Sequence, residues 1–463
     1  MQYFTDDVSL RNDYDLPDQW QDFATTSLIG RTLAASFDRA CYEPRIHILC
    51  ALTRTGSSLL EKSNSNSQGT ATGKHSDHYL PALTGIRFFA IFHIFMFHLL
   101  SLYGSPKPEG MENMLIGFKD APQTLVVLAS NGWISTSLFF LLSGFILAYL
   151  YWGEDGQLTT TRRSFWLMRA ARIYPIHLIV MTFILLMQVP WYLSQEMPLS
   201  TLVPSALATA TLLQAWVPPW IPLWSWPTWT ISALVFLYLI MPWLMTLLGR
   251  LSHRQMVIAL VAMPFISIIP TLGYTARMAT DAPWSMNVDM FIANTPLFWV
   301  PYFAAGMLMT RIFSLSRFKP TLSSPSWFAW GDAAFIVVIV IGCTPGIEQP
   351  LKFFMRQGLL MPFFVVMVLD LARGKGLMAK LFSLPGTGFL GETGYSIFIW
   401  QSIILMVTYI SLMANPAIGP YQIWIAVALI MALAIPSTYL IEKPIARFVR
   451  RKYIDRGTQD DVA

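Results

Sequence analysis

Apolar and polar residues are distributed unevenly along this chain, and the division falls near residue 79. Before it, charged and polar residues dominate; from Leu80 onward, long apolar blocks follow one another with short charged loops between them. A helix that crosses a bilayer needs about 20 mostly apolar residues. Ten blocks reach or approach that length: Leu83–Tyr103, Asn131–Tyr151, Ile173–Leu193, Thr228–Leu248, Met256–Leu272, Phe291–Met309, Trp327–Gly342, Leu351–Leu371, Phe389–Met413 and Tyr421–Leu440. Met256–Leu272 and Trp327–Gly342 are short for the task. The pattern predicts an all-α, polytopic membrane protein with about ten transmembrane helices in residues 79–452. A polar N-terminal extension (1–78) precedes them and a tail (453–463) follows. The extension ends in a Ser/Asn/Gly-rich linker, Glu61–His78, that need not fold. Ser27–Arg54 has helical spacing in places. Met1–Trp20 is acidic and lacks an apolar core, so insertion is expected to begin at the first block.

An eleventh stretch, Leu202–Val217, is ambiguous by length, and the basic residues arbitrate. They cluster at Arg162/Arg163/Arg169/Arg172, Arg250/Arg254, Arg311/Arg317/Lys319, Arg373/Lys375/Lys380 and Arg447/Arg450/Arg451/Lys452. If Leu202–Val217 crossed, every cluster from Arg250 onward would fall outside; if it does not cross, all five share the cytoplasmic side. Ten spans are therefore expected, with both termini cytoplasmic and Leu202–Val217 re-entrant or lying on the outer face. The Pro/Trp-rich run from Pro218 to Pro227 suits an irregular interfacial segment.

Composition narrows the class further. The 463 residues are 54% hydrophobic and 12% charged, about half the charge of soluble domains. The net charge of +5 is spread over loops rather than gathered into one patch with stacking aromatics, which sets nucleic acid aside as a partner. Cys41, Cys50 and Cys343 form no CxxC pair, and no Cys/His group has metal-ligand spacing. No disulfide framework, metal site or bound cofactor is expected.

Ionisable residues inside a bilayer are costly and count as functional candidates. The first block, LPALTGIRFFAIFHIFMFHLL, carries three: Arg87, His93 and His98. Arg87 and His98 are separated by about 1,100° of helical rotation, close to whole turns, and by about 16 Å along the axis. They share a face, with the arginine near the cytoplasmic boundary and the histidine deep in the membrane. A neutral imidazole there can take a proton from an acceptor hydroxyl, and the guanidinium can hold an anionic donor. The bland alternative has Arg87 snorkelling to headgroups and His98 bonded to a neighbouring helix. His93 points elsewhere and reads as structural. Arg169 and Arg172 lie about one turn apart in TRRSFWLMRAARIYPIHL, either as ligands for an anion or as topological anchors.

Taken together, these segments resemble acyltransferase family 3, the multipass membrane O-acyltransferases. LPALTGIRFFAIFHIFMFH is similar to that family's first span, with its arginine and histidine at Arg87 and His98. SLFFLLSGFILAYLY carries its Ser-Gly-Phe at Ser143, Gly144 and Phe145. FWLMRAARIYPIHL carries its RxxR at Arg169 and Arg172, YFAAGMLMTR its Gly-and-Arg span end, and YLIEKPIARFVRR its Glu-Lys-Pro at Glu442, Lys443 and Pro444. The resemblance covers residues 79 to about 452. It implies ten spans, a catalytic His98, and Arg87, Arg169 and Arg172 handling an acyl-CoA co-substrate from the cytoplasmic side. Two positions depart from the family pattern. In TWTISALVFLYLIMP a customary glutamate is replaced by Leu234, and LGETGYSIFIWQ ends in Gln401 where a histidine is usual. Glu392 is a candidate substitute for the missing carboxylate.

The expected function is transfer of an acetyl or other short acyl group from acyl-CoA to a hydroxyl of a carbohydrate, glycolipid or natural-product acceptor. The expected location is the plasma (inner) membrane. Ser143, Ser232 and Tyr238 are the candidate substrate-binding donors to the oxyanion. The rival readings are a transporter or flippase using the same groove, and a degenerate, non-catalytic family member.

Overall fold

The computed structural model describes residues 80–104, 121–280, 285–315, 329–414 and 419–453. The N-terminal extension, Arg317 and Lys319, and the tail from residue 454 lie outside them. Among the described residues the chain is helical, its one extended contact being an isolated bridge between Trp152 and Leu158.

The apolar blocks become helices because, inside lipid, a helix satisfies each backbone group within its own segment. The main ones are α1 (Pro81–Gly104), α2 (Trp133–Tyr151), α3 (Arg162–Ser194), α4 (Leu199–Ala210), α5 (Trp229–Gly249), α6 (His253–Met278), α7 (Val300–Leu315), α8 (Trp330–Gly342), α9 (Leu351–Ala372), α10 (Gly394–Ala414) and α11 (Tyr421–Tyr453). Thr161 caps α3 by accepting from the Ser164 amide, and Ser252 with Gln255 forms a capping box on α6. The short block Met256–Leu272 lies inside a 26-residue helix, which continues through Pro264 and Pro270.

Nine helices among the described residues are long and apolar enough to cross a membrane. The tenth expected span, α8, has only 13 residues, about 20 Å of rise. Its ends nevertheless sit at opposite ends of the bundle. The Gly331 amide donates to Asp370 Oδ2 (2.8 Å) in the last turn of α9, and the Asn131 side chain, just before α2, donates to the Gly342 carbonyl (3.0 Å). Because α2 and α9 run parallel, with Ser137 Oγ donating to the Arg356 carbonyl near their starts (2.7 Å), α8 runs the full distance between those two levels. Asp332, in its first turn, accepts the amides of Ala329, Leu377 and Met378 at 2.9–3.0 Å and pins that end to the first turn of the short helix Gly376–Phe382 that follows α9.

The eleventh stretch does not cross. Helix α4 descends beside α3 until His177 Nε2 meets the Thr209 carbonyl (3.0 Å) and the Tyr174 hydroxyl donates to the Thr211 carbonyl (3.2 Å), halfway along α3. There the chain reverses at Leu212, whose φ of 60° is left-handed. Ser232 Oγ on α5 donates to the Leu212 carbonyl at 2.6 Å. Two 3₁₀ turns, Gln214–Trp216 and Pro218–Trp220, then lead back towards α5. This is a re-entrant element, and its irregular backbone is tolerated at depth because side chains satisfy its polar groups.

Contacts between helix ends gather the described basic clusters at one end of the bundle. Arg311 donates to the carbonyls of Gly153 (3.0 Å) and Glu154 (2.6 Å), Gly249 abuts Gly156, and Arg172 pairs with Glu442. Cysteines placed at Gln195 and Ile347, in a background lacking the native cysteines, are expected to react with an impermeant reagent on one side of the membrane. A cysteine at the exposed Gln255 is expected to react only from the other. Labelling of Gln255 and Gln195 from the same side would overturn this arrangement.

Candidate active site

Helix α1 carries Arg87 and His98 on one face but delivers them to different surroundings. His98 Nδ1 lies 3.1 Å from Gln401 Oε1 on α10, and Gln401 is fully buried. With the amide oxygen facing the ring, Nδ1 carries the proton and donates, which leaves the Nε2 lone pair for a substrate. His98 lines a cavity of about 120 Å³ at the end of the bundle away from the basic clusters. Its walls are chiefly indole and other apolar surface from Trp133, Trp224, Trp226 and Trp229, with polar groups from Thr136, Thr230, Asn294 and Ser402. No carboxylate is among the lining residues.

A residue that sequence reasoning missed shares this cavity. Arg356 sits in a π-helical turn, Met355–Leu359, at the start of α9, and is 4% exposed. Its guanidinium lies 5.3 Å from the ring centres of both Trp229 and Trp299 and within electrostatic reach of His98. The signal was present in LKFFMRQGLL, because an ionisable residue inside an apolar block is a functional candidate by default.

His93 is structural, as its direction on the helix implied. Its Nδ1 meets Ser135 Oγ at 2.8 Å and its Nε2 meets the Leu128 carbonyl at 2.7 Å, so both ring nitrogens are committed.

The arginines assemble at the basic end. Arg172 Nε pairs with Glu442 Oε1 at 3.0 Å, and Glu442, 4% exposed, belongs to a second π-helical turn, Ser437–Glu442. Ser396 Oγ approaches its other oxygen at 3.4 Å. Arg87 lies within electrostatic reach of Arg172, Glu442, Tyr238 and Arg169. Arg169 Nη2 donates to the Tyr151 hydroxyl (3.0 Å) and its guanidinium stacks near the Tyr151 and Phe165 rings. The geometry thus joins Arg87, Arg169, Arg172 and Tyr238 and adds Glu442, while His98 stands apart from them.

Other sequence expectations land elsewhere. Glu392 is not a partner for His98: it pairs with Lys443 and accepts from the Tyr439 hydroxyl (2.8 Å) at the basic end. Burial works against the Glu392 carboxylate, but the Lys443 ammonium and Tyr439 hydroxyl outweigh it and hold the group below its usual pKa. Ser143 Oγ donates to Phe139 in its own helix (2.8 Å) and Ser232 Oγ to Leu212. Neither lines the cavity, and each hydroxyl proton is already engaged. Tyr238 is with the arginines. Leu234 is buried in the apolar core, where a glutamate would need a partner. The His98 partner is Gln401, the other departure from the family pattern.

A half-buried imidazole whose Nδ1 meets a buried amide oxygen, in a cavity at one end of a membrane helix bundle with an arginine cluster at the other end, is an arrangement suited to a multipass membrane transferase. The comparisons give its family. A family model described as an acyltransferase domain matches residues 80–443, and the chain belongs to acyltransferase family 3. Over 243 residues it is 26% identical to the acyltransferase MdmB of Streptomyces mycarofaciens, a match covering 50% of this chain and 57% of that protein. The chain thus spans little more than half the length of that relative. No solved structure matches.

Proposed function

We propose that the protein moves an acetyl or other short acyl group from acyl-CoA to a hydroxyl of a carbohydrate, glycolipid or natural-product acceptor. The observation that carries this reading is the place of His98, its Nδ1 paired with the buried Gln401 Oε1, in the wall of an indole-lined cavity, about 16 Å along α1 from the arginine cluster. Arg87, Arg169 and Arg172 hold the donor's phosphates at the basic end, which is cytoplasmic if the positive-inside bias holds. Both termini then face the cytoplasm, in a plasma (inner) membrane. The acyl-pantetheine arm extends along α1 so that the thioester reaches the cavity. His98 Nε2 takes the proton of the acceptor hydroxyl, whose oxygen attacks the thioester carbonyl carbon. The tetrahedral intermediate collapses with cleavage of the C–S bond, and the imidazolium returns its proton to the departing thiolate. The products are an ester and free CoA.

Indole faces suit an acceptor with a broad apolar or ring surface, and the threonine, serine and asparagine side chains supply hydrogen bonds to orient its hydroxyls. The test uses purified full-length protein, radiolabelled acetyl-CoA and a lipid and small-molecule extract of cells lacking the gene. Label is expected to enter an organic-extractable ester; its absence, together with no thiol release, overturns the proposal.

The donor site makes a separate prediction. Arg169→Ala is expected to raise the KM for acetyl-CoA by on the order of tenfold, as the loss of a charged hydrogen bond implies, with a smaller effect on kcat. Arg172→Ala alone would strand the Glu442 carboxylate, so Arg172→Ala is best combined with Glu442→Gln. Both effects should shrink for a pantetheine donor lacking the nucleotide. Equal losses with intact and truncated donors would make these arginines membrane anchors.

A further inference from the structure

We infer that Arg356 is a catalytic residue of this reaction, donating hydrogen bonds to the thioester oxygen as it becomes an oxyanion. The inference rests on the acyl-transfer reading above. Arg356 lines the same cavity as His98, and it is the one cationic side chain among the lining residues. The serines expected to serve as oxyanion donors spend their hydroxyl protons on Phe139 and Leu212, away from the cavity. A negative charge developing beside His98 is best met by a charged donor from the cavity wall, and among the lining residues, whose other donors are neutral, that donor is this guanidinium.

The way Arg356 is held suits that task. Oxyanion stabilisation is effective when the donor is preorganised in a water-excluded site and does not reorganise during reaction. The Arg356 guanidinium has indole faces from Trp229 and Trp299 beside it, each ring centre at 5.3 Å, so its rotamer is constrained by aromatic surface. A planar group packed against rings directs its N–H donors within one plane, which an ammonium cannot do. Its backbone is fixed as well: the Arg356 carbonyl accepts from Ser137 Oγ, and the next residue, Gln357, donates to the Ile292 carbonyl at 3.1 Å. The π-helical turn Met355–Leu359 adds a residue to the local repeat, and such turns recur at functional sites.

The chemistry balances. His98 Nε2 accepts the acceptor's O–H proton, the new C–O bond forms, and the carbonyl π pair moves onto the oxygen facing Arg356. That pair returns as the C–S bond breaks, the thiolate takes the proton from His98, and Arg356 ends as it began. The acyl group passes from sulfur to oxygen with no net change in oxidation state.

The test uses full-length protein in nanodiscs and two probes independent of the unknown acceptor. One is a CoA thioether bearing a 2-oxopropyl group; the other is its trifluoromethyl counterpart, whose ketone hydrates and ionises to a tetrahedral oxyanion. The wild type is expected to bind the fluorinated probe about 100-fold or more tighter, as transition-state analogues do. Arg356→Gln should abolish that preference while binding the plain ketone normally, and should lower kcat for CoA release from acetyl-CoA by about 10²–10³ without raising KM. Arg356→Lys, which keeps the charge without the planar fork, should fall between, and its melting temperature guards against misfolding. If Arg356→Gln keeps the preference and kcat, or raises only the KM for acceptor, the inference is overturned and the acyl-transfer reading stands. If the wild type does not discriminate between the probes, the inference is likewise overturned. If the wild type binds neither probe and releases no CoA, the acyl-CoA reading itself fails.

Discussion

His98→Ala is expected to reduce acyl transfer by about 10²–10⁴, the range for loss of a general base, with little loss of folded protein. The reason for the second half lies in the site. His98 faces a cavity, and its hydrogen bond to the protein is the one to Gln401. Truncation leaves the Gln401 oxygen without that partner, at a cost of about 1–3 kcal/mol. His93→Ala should behave in the opposite way. It strands Ser135 and the Leu128 carbonyl between α1 and its neighbours, lowering thermal stability while keeping most activity per folded molecule. Gln401→Leu should lie between, because the imidazole survives but its tautomer is no longer held. Transfer rate per folded molecule and melting temperature in detergent measure the two quantities separately. Equal activity losses from His98→Ala and His93→Ala would show that histidine packing, and not proton transfer, had been measured.

Gly306→Val is expected to prevent the bundle from assembling. Helices α2 and α7 touch backbone to backbone: a Cβ on Gly306 would lie 2.1 Å from the Leu141 carbonyl oxygen, and one on Gly144 would lie 2.0 Å from that of Phe303. Thr310 Oγ1 completes the seam by donating across it to the Phe145 carbonyl at 2.9 Å. Small residues at such seams are what allow helices in lipid to gain close packing. A branched side chain here meets rigid backbone, so the helices must separate along their length, forfeiting several kcal/mol of packing. Gly144→Val should fail in the same way. Gly273→Ala on α6, where a Cβ meets nothing within 4 Å, should be neutral or slightly stabilising. Size-exclusion profiles and melting temperatures check this; Gly306→Val accumulating with wild-type stability would refute the close-contact account.

Several features are legible in the sequence because they depend on local periodicity alone. The apolar blocks set the helical spans, the basic loops set their common end, and the helical repeat set Arg87 and His98 on one face and His93 on another. The charge pattern also excluded a crossing by Leu202–Val217, and the left-handed Leu212 supplies the reversal that this requires. Segment ends were less legible. Prolines do not stop α6, and α8 is shorter than its apolar block. The partnerships of the site were hidden entirely. Gln401 is 303 positions from His98, and Glu442 meets Arg172 across two helices. Whether a residue on one helix meets one on another depends on the depth and rotation of each about its axis. Those are set by packing contacts such as Gly144 against Phe303, and by π-helical turns that shift the register at Arg356 and Glu442. The sequence by itself determined which side chains lie within the membrane-crossing blocks; only tertiary packing decided that Gln401 orients His98, that Arg356 shares its cavity, and that Ser143 and Ser232 do not.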